Sequence, residues 1–203
     1  MTGRIIYLNG TSSSGKSSIA LSLQQMLEEP HLRLGVDTFL GMMPIRYLTL
    51  QHSDGIVPAQ QPDDSVHFKI GAVANQTLTS MYYALAGLAR AGSNVIFDDV
   101  IQSQELLRLA VTELDGIEVV FVGVHAPIEE LERREVARGD RLLGLARGSL
   151  AAAHEHGIYD LEIDTRENIG HASAQAIVAY LRNDPHPSAF KQLRSRFANR
   201  LGI

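Results

Sequence analysis

The chain has 203 residues, 45% hydrophobic and 20% charged, with 18 Lys and Arg against 23 Asp and Glu and a net charge of −5. That balance suits one soluble domain with a sizeable core, excludes disorder, and supplies no overall field for nucleic acid or an anionic membrane. No cysteine is present, which excludes disulfides, thiolate zinc sites and cysteine nucleophiles.

The first predicted strand covers residues 4–8. Its apolar run ends at Asn9-Gly10, too soon for a signal peptide. No stretch reaches the roughly 18 apolar residues of a membrane span, so the cytoplasm is the expected location. A helix over 17–27 follows, then a strand over 32–36. Residues 41–69 carry Pro44, Gly55, Pro58 and Pro62 without clean periodicity and read as a long irregular insert, either a binding loop or a surface excursion. Beyond it come a helix over 70–91, a strand over 94–97, a helix over 104–113 and a strand over 118–124. Helices over 128–138 and 150–155, a weak strand over 161–163 and a helix over 169–182 complete the pattern. Strands apolar on both faces that alternate with helices predict an α/β three-layer sandwich around a parallel sheet.

Between the first strand and helix lies Gly10-Thr-Ser-Ser-Ser-Gly15-Lys16-Ser17, which matches the P-loop pattern in the strand–helix context that the motif requires. Its glycines let backbone N–H groups surround a β-phosphate, and the helix N-terminus adds partial positive charge. Gly10, Ser12, Ser13, Ser14, Gly15, Lys16, Ser17 and Ser18 are therefore the candidate nucleotide contacts. Lys16 would reach the β- and γ-phosphates, and Ser17 would ligate Mg²⁺. The base-reading Asn-Lys-x-Asp of GTPases is absent from the sequence, and the length is short for a motor or transporter ATPase. A small kinase of the P-loop NTPase fold, using ATP and Mg²⁺, is the expectation.

Ligands of open α/β sheets sit beyond the carboxyl ends of the strands. Asp37 falls there, as a general base for an acceptor hydroxyl or as a helix N-cap. Asp98-Asp99 closes the third strand of the sheet. One carboxylate, with Asp98 as the candidate, would serve the metal as a Walker-B acid does, and its neighbour would face the acceptor; which of the two does which stays open, and the pair also suits a plain turn. Arg134, Arg138 and Arg141 are spaced four and three apart, so a continued helix aligns them on one face as a phosphate-clamping lid over 134–148. The alternative is a solvated helix with pairs such as Glu130–Arg134. Residues 165–168 are a candidate contact for the nucleotide base or a plain helix cap. His154 and His156 read as polar helix-end residues. Residues 183–203, with Lys191, Arg194, Arg196 and Arg200, read as a basic extension: a helix docked on the acidic body, a solvated charged face or, less in keeping with four charges on a short helix, a nucleic-acid arm.

These pieces in this order resemble the chloramphenicol phosphotransferase family of small P-loop kinases. The residues that carry the likeness are Leu8 to Ser17, Gly35-Val36-Asp37 with Met43-Pro44, Asp98-Asp99-Val100, and Arg134 to Arg141. The likeness extends over roughly residues 4–182. It implies ATP-dependent phosphorylation of a small-molecule hydroxyl, with Asp37 as general base and Arg138 and Arg141 as lid arginines beside Lys16. Residues 45–69 and the tail from 183 depart from the family pattern, so the reaction type carries over better than the acceptor. Chloramphenicol, another hydroxylated antibiotic, and a nucleotide or sugar metabolite all stay open. So do a nucleotide-dependent regulator without catalysis and assembly into a homo-oligomer.

Overall fold

Side-chain alternation along the first apolar run sets the centre of the molecule. The computed structural model describes residues 2–139, 142–167, 169–183 and 185–200. The N-terminal half runs β1 (Ile5–Asn9), α1 (Lys16–Met26), β2 (His31–Gly35), α2 (Val36–Leu40), β3 (Ile56–Gln60), β4 (Val66–Ile70) and α3 (Ala72–Arg90). The remainder runs β5 (Asn94–Asp99), α4 (Gln104–Glu113), β6 (Val119–His125), α5 (Ile128–Arg138), α6 (Leu145–His154), β7 (Leu161–Asp164), α7 (His171–Arg182) and α8 (Ala189–Arg200). All of β1 is buried. Ile5 and Tyr7 pack into the core on one side of the sheet, Ile6 and Leu8 into the core on the other, as the period of two requires.

The main sheet has the order β2-β5-β1-β6-β7, every pair parallel. Ile19 and Leu23 of α1 and Ile177 of α7 cover one face; Leu85 of α3, Leu107 of α4 and Phe190 of α8 cover the other. This is the three-layer α/β architecture expected from the alternation. Leu8 and Gly35 both pair with Asp98, so β1, β2 and β5 end flush and their outgoing loops share one edge.

Three local expectations need correction. Residue 36 belongs to α2 and not to the preceding strand. The stretch 41–69 is not irregular throughout, because β3 and β4 pair as an antiparallel hairpin with Ile56 opposite Ile70. Pro58 hides the strand pattern there; a two-stranded hairpin tolerates it because one edge needs no ladder donor. Helix α6 starts at Leu145 rather than at 150, with Gly148 inside it. That glycine is required by close approach, since a Cβ at Gly148 would collide with the Val66 carbonyl of β4, and helix propensity alone disfavours it.

The tail packs by apolar burial. Ala189, Phe190 and Leu193 join the main core, with the Phe190 ring 5.0 Å from Phe121 and 5.5 Å from Tyr7. Asp160 secures the start of α8: one carboxylate oxygen accepts the Ser188 and Ala189 N–H groups, while the other accepts that of Phe121. Of the basic residues, Arg194 pairs with Asp115 at 2.8 Å and Arg196 donates to the His156 carbonyl. No helix among the described residues is long and apolar enough to cross a membrane.

Candidate active site

The loop after β1 turns through two left-handed residues, Ser13 at φ 63° and Gly15 at φ 97°. Gly15 is the N-cap of α1, so the helix opens toward the loop with Lys16, Ser17 and Ser18 in its first turn. Gly10 packs under the loop, where a Cβ would meet the Val124 carbonyl and, at 2.8 Å, Ser14 Oγ. Ser12, Ser13, Gly15, Lys16, Ser17 and Ser18 line a cavity of about 1010 Å³; Gly10 and Ser14 are buried beneath it. Ser13 Oγ and Ser14 Oγ are buried with no hydrogen-bond partner among the described residues. Such polar atoms call for a partner, and a phosphate oxygen would suit that of Ser13, which lines the cavity.

Lys16 is 6% exposed. Its Nζ donates to the Thr11 carbonyl at 2.8 Å and lies 3.8 Å from Asp98 Oδ1. The Ser17 hydroxyl donates to Asp98 Oδ2 at 2.6 Å. Hydroxyl and carboxylate are hard oxygen donors of the kind Mg²⁺ takes. Among the described residues no three His, Asp or Glu side chains converge, so a cation at Ser17 and Asp98 would complete its shell with ligand or water oxygens.

The neighbouring Asp99 borders the same cavity but is buried, and its carboxylate is taken up by protein. Asp99 Oδ2 accepts the Tyr7 and Tyr82 hydroxyls at 2.5 and 2.9 Å, and Oδ1 accepts the Val100 N–H. Burial pushes the Asp99 carboxyl above its ordinary range, while the two tyrosine hydrogen bonds pull the other way. Burial and the Asp99 charge hold both tyrosines well above the usual phenol range.

Asp37 is the second residue of α2, whose N-cap is Gly35, so the capping role does not fall to it. It lines the same cavity as the phosphate loop. Apolar side chains line the same cavity: Ile56, Val66 and Phe68 of the hairpin, Leu78 of α3 and Leu106 of α4. The hairpin is tied to α6 by the Val66 N–H donating to the Gly144 carbonyl. That helix in turn is capped by Glu135, whose carboxylate accepts the Gly144 and Ala146 N–H groups.

Helix α5 ends at Arg138, followed by Gly139 at φ 66°. The predicted continuation through residue 141 therefore fails at Gly139, and Arg141 itself lies outside the described residues. Arg138 lines the cavity. Arg134 also borders it, yet its guanidinium bonds to protein, at Glu130, Thr165 and the Ser13 carbonyl. The Glu130–Arg134 pair weighed from spacing is present at 2.7 Å. Hydrogen bonds from Arg133 and Arg134 lower the Glu130 carboxyl to about 2. Thr165 is wholly buried and bonds to protein, which leaves it no surface for a nucleotide base; residue 168 is outside the described residues.

Asn9, fully buried behind the loop, is a positioning residue that sequence reasoning gave no role of its own. Its amide donates to the Ala153 carbonyl and to the Tyr159 hydroxyl, and its carbonyl accepts the Ile101 N–H. It thereby joins the entry of the phosphate loop to α6 and to the exit of β5. Only its position directly before Gly10 hinted at this. The Tyr159 hydroxyl meets His154 Nδ1 at 2.7 Å, and the His154 and His125 rings stack 4.0 Å apart. Burial, then the His125 charge, lowers His154 to about 3; burial lowers His156 to about 4.

A parallel sheet in this order, with a P-loop at its central strand and an acidic residue at the end of the next, defines an α/β P-loop protein of the kinase type. Solved structures agree on the fold. The APS kinase CysC of Mycobacterium tuberculosis, in complex with AMPPNP and APS, superposes with a TM-score of 0.64 at 20% identity, over 89% of this chain and 98% of its own. The tunicamycin resistance protein of Deinococcus radiodurans does so at 0.59 and 19%, over 88% and 95%. The chain belongs to the chloramphenicol phosphotransferase-like protein family, whose model matches residues 3–182. Rv2636 of Mycobacterium tuberculosis (strain H37Rv), provisionally named an O-phosphotransferase, is 38% identical over 204 residues, spanning 96% of this chain and 89% of Rv2636. The activity class is phosphotransfer of the kinase type.

Proposed function

We propose that this protein moves the γ-phosphoryl group of ATP to a hydroxyl of a small molecule. One observation carries the reading: Asp37 shares a cavity with Lys16, Ser17 and Asp98, so a carboxylate without a place in the phosphate loop faces the space beside it. In the proposed step, Asp37 takes the proton of the acceptor hydroxyl. The acceptor oxygen bonds to the γ-phosphorus, and the bond from that phosphorus to the β–γ bridging oxygen breaks, releasing ADP. Lys16, Arg138 and Arg141 offset charge on the transferring group. Ser17 and Asp98 would hold Mg²⁺, which neutralises phosphate charge when bound.

The apolar lining of Ile56, Val66, Phe68 and Leu78 suits an acceptor with a substantial apolar surface, such as chloramphenicol or another hydroxylated antibiotic. In this reading residues 41–69 form the acceptor side and residues 134–148 the lid of a kinase core over 1–182, working in the cytoplasm where ATP is made available. The AMPPNP complex of CysC and the resistance role named for the Deinococcus protein point the same way. The test is a screen of hydroxylated antibiotics, nucleosides and sugars with ATP and Mg²⁺, read by mass spectrometry. One acceptor is expected to gain a single phosphoryl group. If none stimulates ADP formation while ATP alters association with another protein, the regulator reading replaces this one.

A further inference from the structure

A run of polar contacts behind the phosphate loop, part-buried at Glu130 and buried at Arg134 and Thr165, has no assigned step in the chemistry above. It starts at Glu130, whose carboxylate accepts Arg134 Nε at 2.7 Å. The same guanidinium donates Nη2 to the Thr165 carbonyl at 2.6 Å and Nη1 to Thr165 Oγ1 at 3.0 Å, and it reaches the Ser13 carbonyl at 3.5 Å. Thr165 Oγ1 lies 2.9 Å from the Ser14 carbonyl and 3.0 Å from the His125 carbonyl. A threonine hydroxyl has one proton to give. The His125 carbonyl already accepts the Thr165 N–H at 2.8 Å, which leaves the Ser14 carbonyl as the acceptor that needs it. Arg134 is 9% exposed and Thr165 not at all, so water does not compete for these bonds.

The consequence follows from peptide planarity. The Ser14 carbonyl and the Gly15 N–H occupy opposite edges of one trans peptide. Holding the carbonyl against Thr165 turns the Gly15 N–H the other way, toward the side where Ser13, Gly15 and Lys16 line the cavity. The loop does not keep this shape by local preference, because Ser13 sits at φ 63°, a region that side chains other than glycine disfavour. Conformations of that kind persist where surrounding contacts over-determine them.

We propose that Arg134 and Thr165 are positioning residues for the nucleotide: together they lock the Ser14–Gly15 peptide with its N–H presented to phosphate. The proposal rests on the nucleotide-binding reading above, and it places Arg134 behind the phosphate loop and not on the phosphate. Nucleotide affinity then depends on α5 and on the turn after β7, neither of which supplies a cradle N–H.

The test is calorimetric titration of AMPPNP with Mg²⁺ into the wild type, Lys16→Ala, Thr165→Val, Thr165→Ser, Arg134→Met and the Arg134→Met/Thr165→Val double variant. Thr165→Val keeps the side-chain volume and removes the hydroxyl, and is expected to weaken binding about tenfold. Thr165→Ser restores the hydroxyl and is expected within about twofold to threefold of wild type. The double variant is expected to lose less than the product of the single losses, since both residues act on one loop. Wild-type affinity in Thr165→Val, or equal losses in the Val and Ser variants, overturns the proposal alone. A wild type that does not bind AMPPNP, or binds it equally after Lys16→Ala, overturns the nucleotide reading and the proposal with it. If Arg134→Met does not fold, the Val and Ser pair carries the test unaided.

Discussion

The Ser17 hydroxyl donates a 2.6 Å hydrogen bond to the Asp98 carboxylate, which joins the first turn of α1 to the end of β5. Lys16 Nζ stands 3.8 Å from the other oxygen of the same carboxylate. Asp98 is thus the point where the phosphate loop meets the neighbouring strand.

Asp98→Asn keeps the side-chain shape and removes the charge. Mg²⁺ is then expected to lose most of its effect on AMPPNP affinity, and phosphotransfer to fall about 10- to 100-fold, the usual range for disturbed metal sites. Titrations with and without Mg²⁺ measure the first effect. An unchanged Mg²⁺ dependence would remove Asp98 from the metal site.

Asp37→Asn separates chemistry from nucleotide binding. Loss of a general base lowers turnover by about two to four orders of magnitude, while AMPPNP affinity should stay near wild type because Asp37 lies outside the phosphate loop. Single-turnover assays with whichever acceptor the screen identifies decide it. Turnover close to wild type would refute the assignment.

His154 and His156 make stability depend on pH. Their folded-state values, about 3 and about 4, lie below the ordinary 6.5, so the unfolded chain takes up protons that the folded one refuses. Their contribution is fully present above about pH 6.5 and is lost as pH falls toward the folded values. Urea midpoints from pH 7 to pH 4 should fall more steeply for wild type than for the His154→Gln/His156→Gln variant. Parallel curves would show that these histidines carry no such linkage.

Phe190→Ala should cost about 3–5 kcal/mol, the range for deleting a buried phenyl group, because this ring fills the space between Tyr7 and Phe121. Equilibrium urea unfolding gives the value directly. A loss below about 1 kcal/mol, typical of surface positions, would mean that α8 only rests on the core.

Gly148→Ala places a methyl group against the Val66 carbonyl, a backbone atom that cannot swing aside. Overpacking of this kind costs about 1–3 kcal/mol and should displace β4 from α6. Hydrogen exchange at the β3–β4 amides is the local readout, with faster exchange expected in the variant. Unaltered protection would show that the hairpin does not depend on this contact.

The strands of the sheet and the helix after the phosphate loop were legible because their patterns are local: apolar runs of strand length, and a Gly–Lys–Ser motif between strand and helix. The hairpin was not, since Pro58 and the turn between its strands break the alternation, and its support comes from Gly144 and Gly148 far along the chain. Arg138 and Arg141 looked alike in spacing, but the positive φ of Gly139 ends the helix between them. From spacing, Arg134 read equally as a phosphate ligand and as the partner of Glu130, because one arginine resembles another in sequence. Its partner Thr165 lies 31 residues away, a separation that no periodicity reports. By itself the sequence determined that this is an α/β P-loop protein, since alternation and motif geometry act over a few residues. Only the tertiary structure decided that Asp98 accepts the Ser17 hydroxyl while Asp99 is held by Tyr7 and Tyr82, because successive side chains of one strand face opposite ways and partners far along the chain fix the role of each.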